Sequence, residues 1–155
     1  MSLVSAVPAS PSAIAREHFR RRLGLETDCA EVAAALEGGP VDFVLLHVAG
    51  SQAAFEARHV PGAVYLPHRL ITAERVAAWP ADTLFVVYCA GPHCNGADRA
   101  ALRLAELGRP VKLMLGGLTG WADEGLAFAR GATVPPIESH DEPCDHACSF
   151  KLSLP

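Results

Sequence analysis

The sequence predicts an α/β fold, a parallel β-sheet of about five strands flanked by helices on both faces. Three observations predict it. Short apolar runs at Phe43–Val48, Ala63–Leu66, Thr83–Tyr88 and Val111–Leu115 show almost no alternation, the pattern of strands buried on both sides and therefore paired in parallel. Stretches of helical character lie between the runs, at Ser51–Ala57, Thr72–Trp79 and Ala97–Leu107, as parallel crossovers require. The chain of 155 residues is 50% hydrophobic, enough to bury a core within one domain.

Ahead of the first run, Pro8, Ser10, Pro11 and Ser12 form a stop-and-cap cluster. Ile14, Phe19 and Leu23 then recur at near-helical spacing among Arg16, Glu17, Arg20 and Arg21. This predicts a short amphipathic helix ended by Gly24, with its arginines on a solvated face. Thr27 or Asp28 caps a second helix that passes through Val32 and Leu36 to the Gly38-Gly39-Pro40 break. The expected organisation is a leader and amphipathic helix over 1–26, the α/β domain over 27–131, and a Cys/His-containing tail over 132–155.

Composition excludes several classes of function. With 13 Lys+Arg against 17 Asp+Glu, 6% aromatics and no basic run longer than Arg20-Arg21-Arg22, the chain lacks the electrostatics and stacking surfaces of a nucleic-acid binder. No apolar stretch reaches the roughly 18 to 20 residues that span a bilayer. Met1–Pro11 has no positive charge ahead of its apolar residues, so it is read as a flexible leader and not as a secretory signal. The five cysteines, Cys29, Cys89, Cys94, Cys144 and Cys148, are odd in number and irregularly spaced. A reduced, cytoplasmic protein is expected, its thiols available for chemistry or metal.

The chemistry is expected at the end of the third run. Cys89 directly follows Leu84-Phe85-Val86-Val87-Tyr88 and precedes Ala90-Gly91-Pro92-His93-Cys94-Asn95-Gly96, after which a helix begins. The carboxyl edge of an open parallel sheet is where ligands bind. A helix N-terminus there supplies positive potential and unpaired N–H groups, which favour a thiolate and cradle an anion. Ala90, Gly91 and Gly96 are small enough for the backbone to curl close to the sulfur. Position alone leaves a second reading of Cys89, as a buried core thiol. Cys94 is near enough in sequence either to resolve or pair with Cys89, or to be a spectator. Cys29, beside a helix cap, reads as a buried spectator.

Four features in order resemble a single-domain rhodanese. They are Leu45-Leu46-His47-Val48 with the Phe55-Glu56-x-x-His59-Val60-Pro61-Gly62-Ala63 block, and Val86-Val87-Tyr88-Cys89 with its loop and the Ala100-Ala101-x-x-Leu104-Ala105-x-x-Gly108 helix. Val111-Lys112-Leu113-Met114-Leu115-Gly116-Gly117 and Trp121 with Gly125-Leu126 complete the set, which covers roughly Thr27 to Phe128. The resemblance implies a rhodanese-like fold and a sulfurtransferase. Cys89 would accept a sulfane sulfur as a persulfide and pass it to a thiol or cyanide. The loop Ala90, Gly91, Pro92, His93, Cys94, Asn95 and Gly96 would hold the anionic intermediate, without a cofactor. Thiosulfate, mercaptopyruvate or a protein persulfide would be the donor, and a thiol or protein the acceptor, with no nucleic acid or membrane partner.

The chain departs from that family's pattern in two places. Its first strand reads Leu46-His47-Val48-Ala49 where the family has hydrophobic-Asp-Val-Arg, and its loop is about two residues longer. His47, Arg58 and Trp121 are candidate residues at the edge of the site, His47 as a hydrogen-bonding group; Pro61 and Gly62 set a turn, and His59 is read as a packing and hydrogen-bonding residue. Related phosphatases and arsenate reductases place an arginine six residues after their cysteine to clamp an oxyanion. Asn95 stands there and Arg99 comes four residues later, which puts oxyanion chemistry below sulfur transfer. A non-catalytic, protein-binding or regulatory module of the same fold is the alternative. In the tail, Cys144, His146 and Cys148 carry enough soft ligands for zinc, although their spacing is not a common finger pattern. The competing expectation is a tail whose thiols exchange with Cys89.

Overall fold

The computed structural model describes residues 1–132. Six helices and five strands follow in the order α1 (Ser12–Leu25), β1 (Glu26–Thr27), α2 (Cys29–Glu37), β2 (Phe43–His47), α3 (Gln52–Ala57), β3 (Val64–Tyr65), α4 (Ala73–Val76), β4 (Leu84–Tyr88), α5 (Gly96–Glu106), β5 (Val111–Met114) and α6 (Gly117–Asp123). A single 3₁₀ turn spans His68–Leu70. All strand pairings are parallel, in the order β1-β5-β4-β2-β3. The chain moves outward from β2 to β3, returns to β4 beside β2, and then leaves in the opposite direction to β5. That reversal opens a crevice at the carboxyl ends of β2 and β4.

Alternation along the central strands divides the core into two layers. Leu45, Val86, Tyr88 and Met114 pack on one face with Cys29 and Val32 of α2, Phe55 of α3 and Trp121 of α6. Leu46, Phe85, Val87 and Cys89 pack on the other with Val76 of α4 and Ala97, Ala100 and Leu104 of α5. Phe55, Phe85, Leu46 and Leu104 are completely buried. Each contributes about 1.5–3 kcal/mol of transfer free energy, which is what holds both helical layers to the sheet.

Side-chain caps set three of the six helix starts. Asp28 accepts from the Glu31 N–H, Ser51 from that of Ala54 and Thr72 from that of Arg75, leaving α3 and α4 one residue shorter at their starts than the apolar pattern suggested. Helix α4 also stops at Val76, since the segment to Trp79 turns so that Arg109 can bond the carbonyls of Val76, Trp79 and Pro80. Helix α1 continues through Gly24 to Leu25, because a glycine with ordinary helical dihedrals weakens a helix without ending it. None of its residues is buried, and Ile14, Phe19 and Leu23 are exposed, so its apolar spacing does not mark a core face.

Candidate active site

Cys89 is the first residue beyond β4, the middle strand of the sheet, and its side chain belongs to the layer packed under α5. It is 3% exposed. The loop that follows is fixed from both ends. A turn closes when the Cys94 N–H donates to the Gly91 carbonyl at 3.0 Å, with Pro92 and His93 at its exposed corner. On the other side the first amides of α6 reach across: Leu118 N–H donates to the Cys89 carbonyl at 3.0 Å and Thr119 N–H to the Ala90 carbonyl at 2.9 Å. Thr119 adds its hydroxyl to the Ala90 carbonyl.

These contacts need glycine at two places. Gly117 has φ +56°, and a Cβ there would lie 2.3 Å from the Cys89 carbonyl oxygen. A Cβ on Gly96 would meet the Ala49 methyl at 3.2 Å and both the Cys89 Cβ and the Cys94 Sγ at 3.4 Å. The two thiols therefore crowd the same point at the start of α5.

No side chain caps that helix. The sulfurs occupy the capping position instead. The Gly96 N–H donates to Cys94 Sγ at 3.4 Å, and the Ala97 N–H faces Cys89 Sγ. The amides of Ala90, Gly91, His93 and Asn95 have no backbone acceptor and remain for an anion or for the sulfurs.

The distribution of hydrogen bonds divides the protons unequally. Burial pushes the Cys89 thiol above its ordinary pKa, the Ala97 amide opposes this, and the Cys94 thiol beside it pushes the same way as burial. Its S–H donates to the Cys94 carbonyl at 3.1 Å, which holds the protonated form. At Cys94 burial also opposes ionisation, yet the Gly96 amide, the Cys89 thiol and the Ala90 amide outweigh it and lower the pKa. The sequence expectation placed ionisation at Cys89; the hydrogen bonds instead favour it at Cys94, because Cys94 takes the leading amide of α5.

A cavity of about 360 Å³ opens over this pair, lined by the Cys89–Cys94 loop, by Ala97 and Asp98 of α5, by the end of β5 through Gly117, and by Glu26. Among the described residues, no Lys or Arg lines it. Glu26 is paired with Arg22 at 2.6 Å, which leaves the Asp98 carboxylate as its uncompensated charge. Glu26, Asp98, Gly117 and Thr119 escaped the sequence reading. The Gly116-Gly117 pair after an apolar strand was the available signal.

The remaining predicted residues lie elsewhere. His47 is 3% exposed on the opposite face of the sheet from Cys89, with its Nδ1 3.1 Å from the Tyr88 hydroxyl and its ring edge-on to Phe55. The same hydroxyl accepts from the Val60 N–H, so His47 and Tyr88 tie β2 and β4 to the turn before β3. Trp121 is 2% exposed in that same layer, its indole N–H donating to the Ala127 carbonyl. Arg58 lies over the Phe128 ring at 4.7 Å, and His93 is exposed, neither lining the cavity. Arg99 turns its guanidinium to the Asn95 side chain at 3.2 Å and not into the cavity. Cys29 is buried, and burial first, then Asp28 and Glu124, push its thiol up to about 11. Cys144, His146 and Cys148 lie outside the described residues. Among the described residues no His/Cys/Asp/Glu cluster is arranged for a metal ion, and no helix is long and apolar enough to cross a membrane.

Burial, assisted by the nearby His59, pushes His47 down to about 4, against about 6.5 in an unfolded chain. Below pH 6.5 the unfolded state takes up a proton that the folded state refuses. The neutral side chain's contribution is therefore full above pH 6.5 and is lost as pH falls towards 4, at most about 3 kcal/mol in total. Urea unfolding of the wild type and His47→Gln at pH 7 and pH 4.5 is expected to show a larger acid loss in the wild type. Parallel losses would mean that His47 is not the group responsible.

Known proteins share this architecture. A curated relative from Mycobacterium tuberculosis, the HTH-type transcriptional regulator Rv0324, is 35% identical over 80 residues, which cover 52% of this chain and 35% of that protein. The chain thus matches about a third of that relative's length. Among solved structures, the BH2092 protein from Bacillus halodurans superposes with a TM-score of 0.73 at 28% identity, covering 77% of this chain and 87% of the other. A thiosulfate sulfurtransferase from Pseudomonas aeruginosa shares the fold at TM-score 0.57 and 22% identity, over 74% of this chain and 22% of that one. Residues 28–124, from the cap of α2 to the end of α6, match the family model of the Rhodanese-like domain, and the chain belongs to that family.

Proposed function

We propose that the protein is a sulfurtransferase that carries a sulfane sulfur on Cys89. One observation carries the reading: a thiol at the carboxyl end of the central strand, on the floor of a 360 Å³ cavity, surrounded by uncommitted amides and the start of α5. Once Cys89 has lost its proton, Sγ attacks the outer sulfur of the donor. The new S–S bond forms as the bond between that sulfur and the donor's remaining fragment breaks, and the electron pair leaves with the fragment. The persulfide anion is held by the loop amides. An acceptor thiolate or cyanide then takes the outer sulfur and returns the electron pair to Cys89.

The cavity also bears on the donor. With Asp98 on its wall and no cationic residue among the described lining residues, it suits a small donor less charged than the thiosulfate dianion, such as mercaptopyruvate. Intact mass after incubation with mercaptopyruvate is expected to rise by about 32 Da, the adduct absent from Cys89→Ser and reversing with dithiothreitol. Thiosulfate is expected to load more slowly. No adduct on Cys89 with any of the three donor types would sink the proposal.

That outcome would favour a second reading, a regulatory module of the same fold. It is suggested by the regulator among the relatives and by the absence of the first-strand Asp and Arg, whose positions are held by His47 and Ala49.

A further inference from the structure

We propose that Cys94 is a second sulfur carrier, which takes the outer sulfur from the Cys89 persulfide and presents it at the rim of the cavity to acceptors too large to reach Cys89. The proposal rests on the reading of Cys89 as the persulfide-forming thiol. Its first support is access. Cys89 is 3% exposed beneath the loop, whereas Cys94 is half-buried, five residues on, beside the exposed corner of Pro92 and His93. Cyanide can enter a cavity of this size, but the thiol of a folded protein must meet its sulfur at the surface.

The second support is proximity. A methyl at Gly96 would sit 3.4 Å from both the Cys89 Cβ and the Cys94 Sγ, so the two cysteine side chains flank one point at the start of α5. Cys94 Sγ also already receives the Gly96 N–H at the start of α5, so a persulfide formed on it lies against the positive end of an 11-residue helix.

The step balances without an added reagent. The persulfide reacts in its protonated form: the Cys94 thiolate forms a bond to the outer sulfur of Cys89–S–SH, and the bond between that sulfur and Cys89 Sγ breaks. The electron pair stays on Cys89 Sγ, which takes up the proton of the persulfide. One sulfane sulfur, one proton and one negative charge are present before and after. The proton ends on the buried thiol, whose S–H has the Cys94 carbonyl as its acceptor at 3.1 Å, and the anion on the more exposed sulfur.

The test loads the wild type, Cys94→Ser and Cys94→Ala with mercaptopyruvate, traps by alkylation and locates the added sulfur by fragmentation. Transfer is then measured to cyanide and to reduced thioredoxin as a protein thiol. The wild type is expected to carry the added sulfur on both Cys89 and Cys94, and the variants on Cys89 alone. Transfer to thioredoxin in the variants is expected to fall at least about tenfold further than transfer to cyanide. Equal losses with the two acceptors, with Cys89 still loaded, would overturn the relay and leave the sulfurtransferase reading standing. A Cys89–Cys94 disulfide accompanied by hydrosulfide release would overturn it too, since the inner sulfur would then be the one attacked. No adduct in the wild type would instead count against Cys89 itself, and the relay would fall with it.

Discussion

Cys89→Ser is expected to lower kcat/KM for sulfur transfer by roughly three orders of magnitude or more, with the fold retained. Serine nearly matches the thiol in shape, and its hydroxyl can donate to the Cys94 carbonyl as the S–H does now. Stability should change by about 1 kcal/mol or less. The chemistry cannot survive, because an alcohol has far too high a pKa to ionise here and forms no persulfide. Steady-state transfer to cyanide, read beside the thermal midpoint, checks both halves. Activity within tenfold of wild type in a variant with an unchanged midpoint would show that the sulfur is carried elsewhere.

Gly117→Ala attacks the same site from the backbone. Its Cβ would stand 2.3 Å from the Cys89 carbonyl oxygen and 3.0 Å from the Gly91 nitrogen, both of them main-chain atoms with no side-chain freedom to retreat. The positive φ adds about 1–2 kcal/mol. Together these are expected to cost about 3–5 kcal/mol, a fall in Tm of about 10 °C or more, and to displace the loop enough to depress sulfur transfer in whatever fraction folds. Gly125→Ala is the matched comparison. It has a similar φ of +69° but open space around the new methyl, so it should lose only about 1 kcal/mol. Equal losses in the two variants would show that dihedral strain, and not the contact with Cys89, sets the cost.

The parts of the fold legible in the sequence are those that depend on local pattern. Leu84–Tyr88 announces itself because a strand covered on both faces has no polar position to spare, and Asp28 and Ser51 mark their helices because a cap is a one-residue event. Strand β1 escaped because Glu26-Thr27 is two polar residues, ordered only by pairing with Leu113 and Met114 some ninety positions away. Helix α6 escaped for a related reason. Gly117, Thr119 and Gly120 have poor helix propensity, and the helix forms because its first amides find the Cys89 and Ala90 carbonyls.

The site divides in the same way. The family resemblance carried the proposed nucleophile and its loop, both contiguous in sequence. Which face a residue takes and which amide a sulfur receives depend on register and packing. His47 and Tyr88 are register partners across β2 and β4, and a shift of one residue places the very next position, Cys89, in the opposite layer. Trp121 was likewise drawn into the α2 layer and away from the cavity by its packing with Cys29 and Val32. The opposite pKa directions of Cys89 and Cys94 depend on where two amides of α5 point, which no spacing rule encodes.

The unequal lengths of the strands bear on how the protein meets other copies of itself. The long strands β2 and β4 are interior, while the two outermost, β1 and β3, are only two residues each. An incoming chain would find just a few unpaired backbone groups at either border, too few to template a further strand. Among the described residues, brevity alone thus blunts both borders of the sheet against edge-to-edge pairing.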